Sequence, residues 1–141
     1  MSDIFQMLYL SRASREMSDA DLAEILAEAR DYNENHQITG LLLYASKHFF
    51  QILEGEREQV QSLFARIKKD NRHEAIVLLF EGPAEARSFP HWWMGFENLT
   101  ESDLENEPVF HNIRTSADLD KLPGQGDRLF AVMRNIFEVN R

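Results

Sequence analysis

The stretch ITGLLLYASKHFFQIL, which spans residues 38–53, contains two apolar segments separated by a short polar Ser-Lys link. Two such segments, rich in aliphatic and aromatic residues and joined by two polar residues, are typical of a β-hairpin. We therefore predict one strand over residues 38–45 and a second over residues 49–53. Side chains alternate between the two faces of a strand, so Gln51 shares its face with large apolar neighbours.

A predicted helix flanks this hairpin on each side. Before it, Ser18 and Asp21 form an S-x-x-D capping box, and apolar residues recur at helical spacing as far as Ala29. Asn33 continues this apolar stripe, so a polar amide lies on the face of the helix that is expected to be buried. After the hairpin, residues 56–69 carry apolar side chains at positions i, i+3, i+4 and i+7, which predicts a second helix.

Three further apolar segments predict strands at residues 4–11, 75–80 and 91–97. The first two are long enough for buried strands. In the third, alternation places Trp92 and Met94 on the same face of the strand.

The resulting order, β-α-β-β-α-β-β, predicts an α+β fold, the ferredoxin-like βαββαβ arrangement with an added fifth strand. In this topology the third strand lies beside the first, which makes Tyr9 and Gln51 neighbours, and Asn33 lies on a helix that covers the sheet. Both helices cover one face. We expect a domain over residues 1–97 and a helical extension over residues 98–141 that packs on the other face.

The composition of the chain excludes several classes of function. The 141 residues carry a formal net charge of −9 and include no cysteine, which excludes disulfides, thiolate metal sites and cysteine–flavin adducts. The acidic balance argues against nucleic acid and anionic membranes as partners. The five histidines lack metal-ligand spacing, and no serine-hydrolase or glycine-rich phosphate motif is present. With no signal-like amino terminus or long apolar run, we expect a cytoplasmic protein.

Three polar side chains on predicted apolar faces remain to be explained: Tyr9, Asn33 and Gln51. A buried amide without a hydrogen-bond partner costs about 1–3 kcal/mol, so each amide requires a partner. Either the three groups satisfy one another and the backbone, or a planar ligand with its own donors and acceptors lies in an apolar slot between them. The residues alone leave both alternatives open.

Five segments carry a further signal. They are LYLSRA (8–13), NENHQITGLLLY (33–44), FFQILEG (49–55), DNRH (70–73) and RSFPHWWMGF (87–96). In this order and at this spacing they resemble the BLUF domains, bacterial and algal sensors of blue light that use FAD. The resemblance covers roughly residues 4–97, about two-thirds of the chain.

The resemblance implies roles for individual residues. Tyr9 matches the photoactive tyrosine of the family, and Gln51 matches the glutamine that lies between that tyrosine and the flavin. Asn33 matches the asparagine that holds the carbonyl side of the flavin ring. Arg72 and His73 match a pair near the ribityl and phosphate end.

Further matches concern the flavin ring and the signal. The resemblance implies apolar contacts with the ring from Ile25, Leu41 and Phe49. Trp92 and Met94 match the Trp-x-Met pair of the fifth strand, which the family uses in passing the signal on.

The resemblance implies a photoreceptor and not an enzyme, with FAD bound non-covalently. Light would move an electron and a proton from Tyr9 through Gln51, whose amide then rearranges by rotation or tautomerisation. We expect a homo-oligomer that signals to a separate effector protein, with the acidic residues 97–120 as the partner surface. The alternatives are a light-inert ferredoxin-like flavoprotein, an enzyme that binds a small ligand, and a structural interaction module.

Overall fold

The computed structural model describes residues 4–45, 47–98, 131 and 133. In the predicted order it contains β1 (Ile4–Ala13), α1 (Asp19–Asn35), β2 (Thr39–Ala45), β3 (His48–Glu56), α2 (Arg57–Lys68), β4 (His73–Ala84) and β5 (Gly95–Asn98). The strands form one sheet in the order β4-β1-β3-β2-β5, in which β5 runs parallel to β2 and the other neighbours are antiparallel. The predicted ferredoxin-like α+β fold with an added strand is confirmed.

Two local signals in the sequence set the ends of elements as predicted. Ser18 Oγ accepts a hydrogen bond from the Asp21 amide at 3.1 Å, and the Asp21 carboxylate accepts one from the Ser18 amide at 2.9 Å, so a capping box begins α1. In the hairpin, Ala45 pairs with His48. Lys47 has a φ of 68°, the left-handed conformation favoured in two-residue hairpin links.

The two faces of the sheet hold separate apolar clusters. The inner face is the one that α1 and α2 cover, and its buried side chains include Phe5, Met7 and Tyr9 of β1. On the outer face a second cluster forms from alternate residues of the strands together with Phe89 and Met133, which lie outside the strands. Its buried members are Leu8, Leu10, Leu41, Leu43, Ala45, Phe50, Ile52, Leu79, Phe89 and Met133.

Met133 links the predicted extension to the outer face. It is helical and fully buried in the outer cluster. This agrees with a helix that covers that face. The apolar residues that recur with Met133 at helical spacing, Leu129, Val132, Ile136 and Phe137, lie outside the described residues. Residues 99–120 of the acidic segment also lie outside them, and the division into 1–97 and 98–141 stays a prediction.

The fifth strand is shorter than the sequence predicts. Pairing begins at Gly95, and residues 91–94 form a turn and bends. The prediction that Trp92 and Met94 share a face is therefore wrong: Trp92 packs against the outer cluster and Met94 is buried in the inner one. Strand alternation does not apply here, because residues of α1 and β2 bind the carbonyl groups of this segment individually.

Candidate functional site

A cavity of about 320 Å³ lies between α1 and α2, with the inner face of β1, β2, β3 and the start of β4 as its floor. This volume is typical of a site for a small molecule or cofactor. The apolar part of its lining consists of Ile25, Ala29, Leu42, Phe49, Leu63 and Ile67. Tyr9, Asn33 and Gln51 all line the same cavity, so the fold brings together the three polar side chains that the sequence singled out.

Tyr9 and Gln51 are directly opposite each other on the antiparallel strands β1 and β3. Tyr9 is 1% exposed and Gln51 is 8% exposed. The register between β1 and β4 shifts between Leu8 and Tyr9. Irregularities of this kind change the direction of a side chain and occur often beside functional sites. The predicted neighbourhood of Tyr9 and Gln51 is confirmed.

Tyr9 is a neutral phenol in fixed surroundings. Burial raises the pKa of Tyr9 far above its ordinary value, and the negative charge of Asp70 raises it further. The Tyr9 ring packs against the ring of Phe64 at a centroid distance of 5.3 Å and meets the ring of His73 edge-on at 6.5 Å. The side chain therefore keeps its proton at neutral pH and has little room to turn.

Asn33 presents an unused hydrogen-bond acceptor. It is 1% exposed, and its Nδ2 donates to the carbonyl oxygen of Trp93 at 2.6 Å. Its Oδ1 has no hydrogen-bond partner among the described residues. An orphaned buried acceptor costs about 1–3 kcal/mol, so the geometry favours a ligand that donates an N–H to Asn33. The alternative that Tyr9, Asn33 and Gln51 satisfy one another's hydrogen-bonding groups is therefore wrong for Asn33.

Gln51 is held by a weaker contact. Its Nε2 donates to the thioether sulfur of Met94 at 3.6 Å. A thioether is a weak acceptor, so this contact restrains the amide less than a bond to oxygen would. Gln51 therefore lies opposite Tyr9, and its amide can exchange the weak bond to the Met94 sulfur for a bond to another acceptor.

Charged residues lie where the cavity opens to solvent. Arg72 donates to both carboxylate oxygens of Asp70, at 3.0 and 2.6 Å, and contacts Glu28 of α1 at 2.8 Å. These hydrogen bonds from Arg72 hold the pKa of Asp70 below its usual range. The guanidinium of Arg66 lies over the Tyr32 ring at 4.8 Å. The contacts of Arg72 with Glu28 and of Arg66 with Tyr32 thus connect α1 to the residues on the opposite side of the cavity opening.

His73 lines the cavity, but both of its ring nitrogens already have partners. Nε2 lies 2.7 Å from the carbonyl oxygen of Ile67, and Nδ1 lies 2.9 Å from Ser11 Oγ. Because a carbonyl only accepts, Nε2 donates, and in the neutral ring Nδ1 accepts from the serine hydroxyl. His73 therefore forms part of the floor, and a phosphate would have to displace one of these bonds to reach it.

Seven of the ten predicted site residues line the cavity: Tyr9, Ile25, Asn33, Phe49, Gln51, Arg72 and His73. Met94 reaches the site through its contact with Gln51, whereas Trp92 packs on the outer face. The prediction for Leu41 is wrong, because Leu41 belongs to the outer cluster. Its neighbour Leu42, the β2 partner of Gln51, lines the cavity instead.

Several lining residues were missed at the level of sequence. Alternation from Gln51 across the hairpin could have identified Leu42, and the helical stripe of α2 contains Leu63. Arg66 and Lys69 lie on the polar side of α2 and just after it, where sequence patterns give no sign of a cavity. Asp70 belongs to the DNRH segment, but its place in the cavity lining depends on its contacts with Arg72, which the sequence does not show.

The described part of the chain contains neither a membrane-spanning helix nor a group of metal ligands. Across residues 4–45 and 47–98, no helix is long and apolar enough to cross a membrane. In the same part of the chain, no group of three or more His, Asp or Glu side chains could hold a metal ion.

Comparisons with known proteins agree with this geometry. The dark-state structure of BlrB, a BLUF protein, superposes with a TM-score of 0.76 at 29% identity and covers 99% of this chain and 98% of that one. The ground state of BlsA gives a TM-score of 0.75 at 32% identity, over 93% of this chain and 87% of BlsA. A photoactivated adenylate cyclase subunit beta from Euglena longa is 33% identical over 112 residues, which are 79% of this chain but 13% of that protein.

The sequence model of the family of sensors of blue light using FAD matches residues 4–95. This match includes β1, both helices, the hairpin, β4 and the start of β5, and therefore all residues that line the cavity. The chain belongs to the BLUF family of blue-light sensors.

Proposed function

We propose that this chain is a blue-light photoreceptor that binds FAD non-covalently in the cavity between α1 and α2 and signals through Tyr9 and Gln51. The observation that carries the proposal is the shared cavity of three groups: a neutral buried phenol, a loosely held amide opposite it, and the unpartnered Oδ1 of Asn33. The residues present fit both the ring and the phosphate end of a flavin.

The ring of a flavin requires an apolar slot with polar groups at one edge. The slot is supplied by apolar side chains of both helices and the sheet, among them Ile25, Leu42 and Leu63. Asn33 Oδ1 can accept from the ring N–H, and its Nδ2 retains a second hydrogen that can be donated to a ring carbonyl. The otherwise costly burial of this asparagine acceptor supports a ligand with that pattern of donors and acceptors.

The phosphate end of FAD requires cationic side chains near solvent. Arg66, Lys69 and Arg72 line the open side of the cavity. Arg72 is balanced by Asp70 and Glu28, so a phosphate would compete with these carboxylates for its guanidinium. The family supports FAD, and a structure of BlrP1 from Klebsiella pneumoniae contains FMN, so the identity of the bound flavin is an outcome of the experiment below.

A bound flavin would absorb blue light and supply an electron acceptor beside the site. Burial keeps the phenol of Tyr9 protonated, so Tyr9 would supply both an electron and, through Gln51, a proton. The Gln51 amide would rearrange by rotation or tautomerisation, and the electron and the proton would then both return to Tyr9. Only the arrangement of the Gln51 amide would then differ, and with it the contact between Gln51 and Met94.

The rearranged Gln51 passes the signal to the segment before β5 through Met94. We infer that the output goes to a separate effector protein and that the chain acts as a homo-oligomer, not as an enzyme. The inference of a separate effector protein is supported by the similarity to BlrB, a BLUF protein, because this chain covers 98% of the BlrB chain. The photoactivated adenylate cyclase beta subunits of Euglena longa and Euglena gracilis are far longer than this chain, which spans 13% and 12% of them, so their activity is not transferred.

The test is the absorption of the purified protein in darkness and under blue light. The proposal predicts a flavin spectrum that shifts to the red under blue light and returns in the dark. Because the proposed binding is non-covalent, acid precipitation should leave the flavin in the supernatant, and chromatography then identifies it as FAD or FMN. A flavin spectrum without a shift would indicate a light-inert flavoprotein, and a colourless protein would contradict the proposal.

A further inference from the structure

Glu54 is a fully buried acidic residue that lies outside the cavity. It is on β3, three residues after Gln51, and its side chain lies on the outer face of the sheet, whereas Gln51 faces the cavity. A buried carboxylate is costly unless its oxygens are fully hydrogen-bonded. Its partners therefore indicate what it holds in place.

Four donors converge on this carboxylate. Oε1 accepts from Thr39 Oγ1 at 3.1 Å and from the amide of Phe89 at 2.6 Å. Oε2 accepts from Gln6 Nε2 at 3.0 Å and from the amide of Ser88 at 2.8 Å. The two amides belong to residues 85–94, which connect β4 to β5 and are called here the connecting segment.

Arg87 completes the attachment of the connecting segment to β3. Its Nη1 donates to Thr39 Oγ1 at 2.9 Å and to the main-chain oxygen of Glu54 at 3.2 Å. Its Nη2 donates to the Gln37 main-chain oxygen at 2.7 Å. A positive charge thus lies beside the buried carboxylate, and three consecutive residues, 87–89, are fixed at this point.

The other end of the connecting segment is fixed at the cavity. Asn33 Nδ2 donates to the Trp93 carbonyl, Arg30 Nε donates to the Met94 carbonyl at 3.1 Å, and Gln51 Nε2 donates to the Met94 sulfur. Since Met94 lies only five positions after Phe89, the carboxylate of Glu54 and the amide of Gln51 hold the same short segment from opposite faces of β3.

We propose that Glu54 is a positioning residue for the light response: it fixes the connecting segment so that the Met94 sulfur lies within reach of the Gln51 amide. The light-dependent part of this inference rests on the proposed function. The positional part does not, because the contact between Gln51 and Met94 is present in the structure without any ligand or light response.

Glu54→Gln is the sharpest variant, because it preserves volume while removing an acceptor. Each carboxylate oxygen accepts from one side chain and one main-chain amide. The hydroxyl of Thr39 or the amide of Gln6 can reorient to face the new NH₂ group, but a main-chain amide cannot. One amide of Ser88 or Phe89 therefore loses its partner. Ser88→Ala is the matched control, since it changes the same segment but keeps both main-chain bonds to Glu54.

The first readout is amide exchange in the dark, measured by mass spectrometry on peptides covering residues 85–95. We expect exchange at residues 92–95 to rise about fivefold in Glu54→Gln, the factor that one lost hydrogen bond of typical strength contributes. In Ser88→Ala it should stay at the wild-type rate. Unchanged exchange at 92–95 in Glu54→Gln would overturn the inference, and this holds even if the wild-type protein proves to be light-inert.

The second readout is the rate at which the light-induced spectrum returns in the dark. Glu54→Gln should alter this rate about fivefold, with flavin content unchanged because Glu54 lies away from the cavity. In the background of Met94→Leu, which conserves volume but removes the sulfur, the same substitution should have no effect on the rate. An equal effect in both backgrounds would show that Glu54 does not act through Met94. If Glu54→Gln fails to fold, Arg87→Gln replaces it, because Arg87 is partly exposed and its bonds to Thr39, Glu54 and Gln37 hold the same segment. Amide exchange and dark recovery are then measured on Arg87→Gln, with the same expected outcomes.

Discussion

Tyr9 and Gln51 are directly opposed on β1 and β3, yet they are held in different ways. Tyr9 lies between the rings of Phe64 and His73, whereas the amide of Gln51 donates to the weak sulfur acceptor of Met94. A fixed phenol and a loosely held amide in one cavity make Gln51 the member of the pair that can rearrange.

Asn33→Ala should weaken flavin binding. The substitution removes the buried Oδ1 that has no partner in the described part of the chain, and the loss of one hydrogen bond of about 1 kcal/mol corresponds to about a fivefold rise in the dissociation constant. Asn35→Ala is the control, because Asn35 is exposed on the same helix and bonds to Asp31. Equal flavin affinity of the two variants, measured by fluorescence titration, would exclude Asn33 as a flavin contact.

Leu42→Ala and Leu41→Ala should separate flavin binding from stability. Each removes a buried leucine, and we expect each to lower the free energy of unfolding by about 2–5 kcal/mol. Only Leu42 lines the cavity, so only Leu42→Ala should also raise the dissociation constant of the flavin. Chemical denaturation and flavin titration measure the two effects. A larger loss of affinity in Leu41→Ala would contradict the assignment of the faces.

Arg72→Ala should weaken the binding of FAD more than that of riboflavin. Arg72 lines the open side of the cavity, and riboflavin has no phosphate for it to contact. Removing Arg72 takes a cation away from the phosphate and leaves the carboxylates of Asp70 and Glu28 without their partner. We therefore expect the affinity for FAD to fall about fivefold. Arg12→Ala is the control, since Arg12 forms an exposed ion pair with Glu74. Equal losses for both flavins would exclude a phosphate contact.

The buried phenol predicts a specific pH dependence of stability. The pKa of Tyr9 is raised in the folded protein, so above about pH 10 the unfolded chain loses this proton while the folded chain keeps it. The free energy of unfolding should therefore fall above pH 10, by about 1.4 kcal/mol per pH unit from this residue. Tyr9→Phe should lack this contribution. Parallel pH profiles for the two proteins, measured by denaturant unfolding from pH 9 to 11.5, would show that Tyr9 ionises normally.

The sequence could predict the fold and the central trio because both depend on local periodicity. The capping box at Ser18, the two-residue hairpin link and the alternation around Gln51 each have one simple structural solution. The order of elements then placed Tyr9 beside Gln51. The match to the BLUF family over residues 4–95 bears out the resemblance that the five segments indicated.

The errors arose where tertiary contacts replace periodicity. Trp92 and Met94 lie before β5, in a segment bound through its carbonyl groups, so their faces cannot be derived from alternation. The resemblance predicts Leu41 as a contact of the flavin ring, whereas the alternation of side chains on β2, opposite Gln51, places Leu42 in the cavity. The bonds of His73 to Ser11 and Ile67 depend on three separate elements of the fold, which no local pattern reveals.

The most direct test of the account is the light response of Tyr9→Phe. The substitution removes one hydroxyl and keeps the ring that packs against Phe64, so the fold and the bound flavin should be retained. We predict a wild-type flavin content and no red-shifted spectrum under blue light, and the same result for Gln51→Leu. A Tyr9→Phe protein that binds flavin and shows the shift and recovery of the wild type would contradict the account.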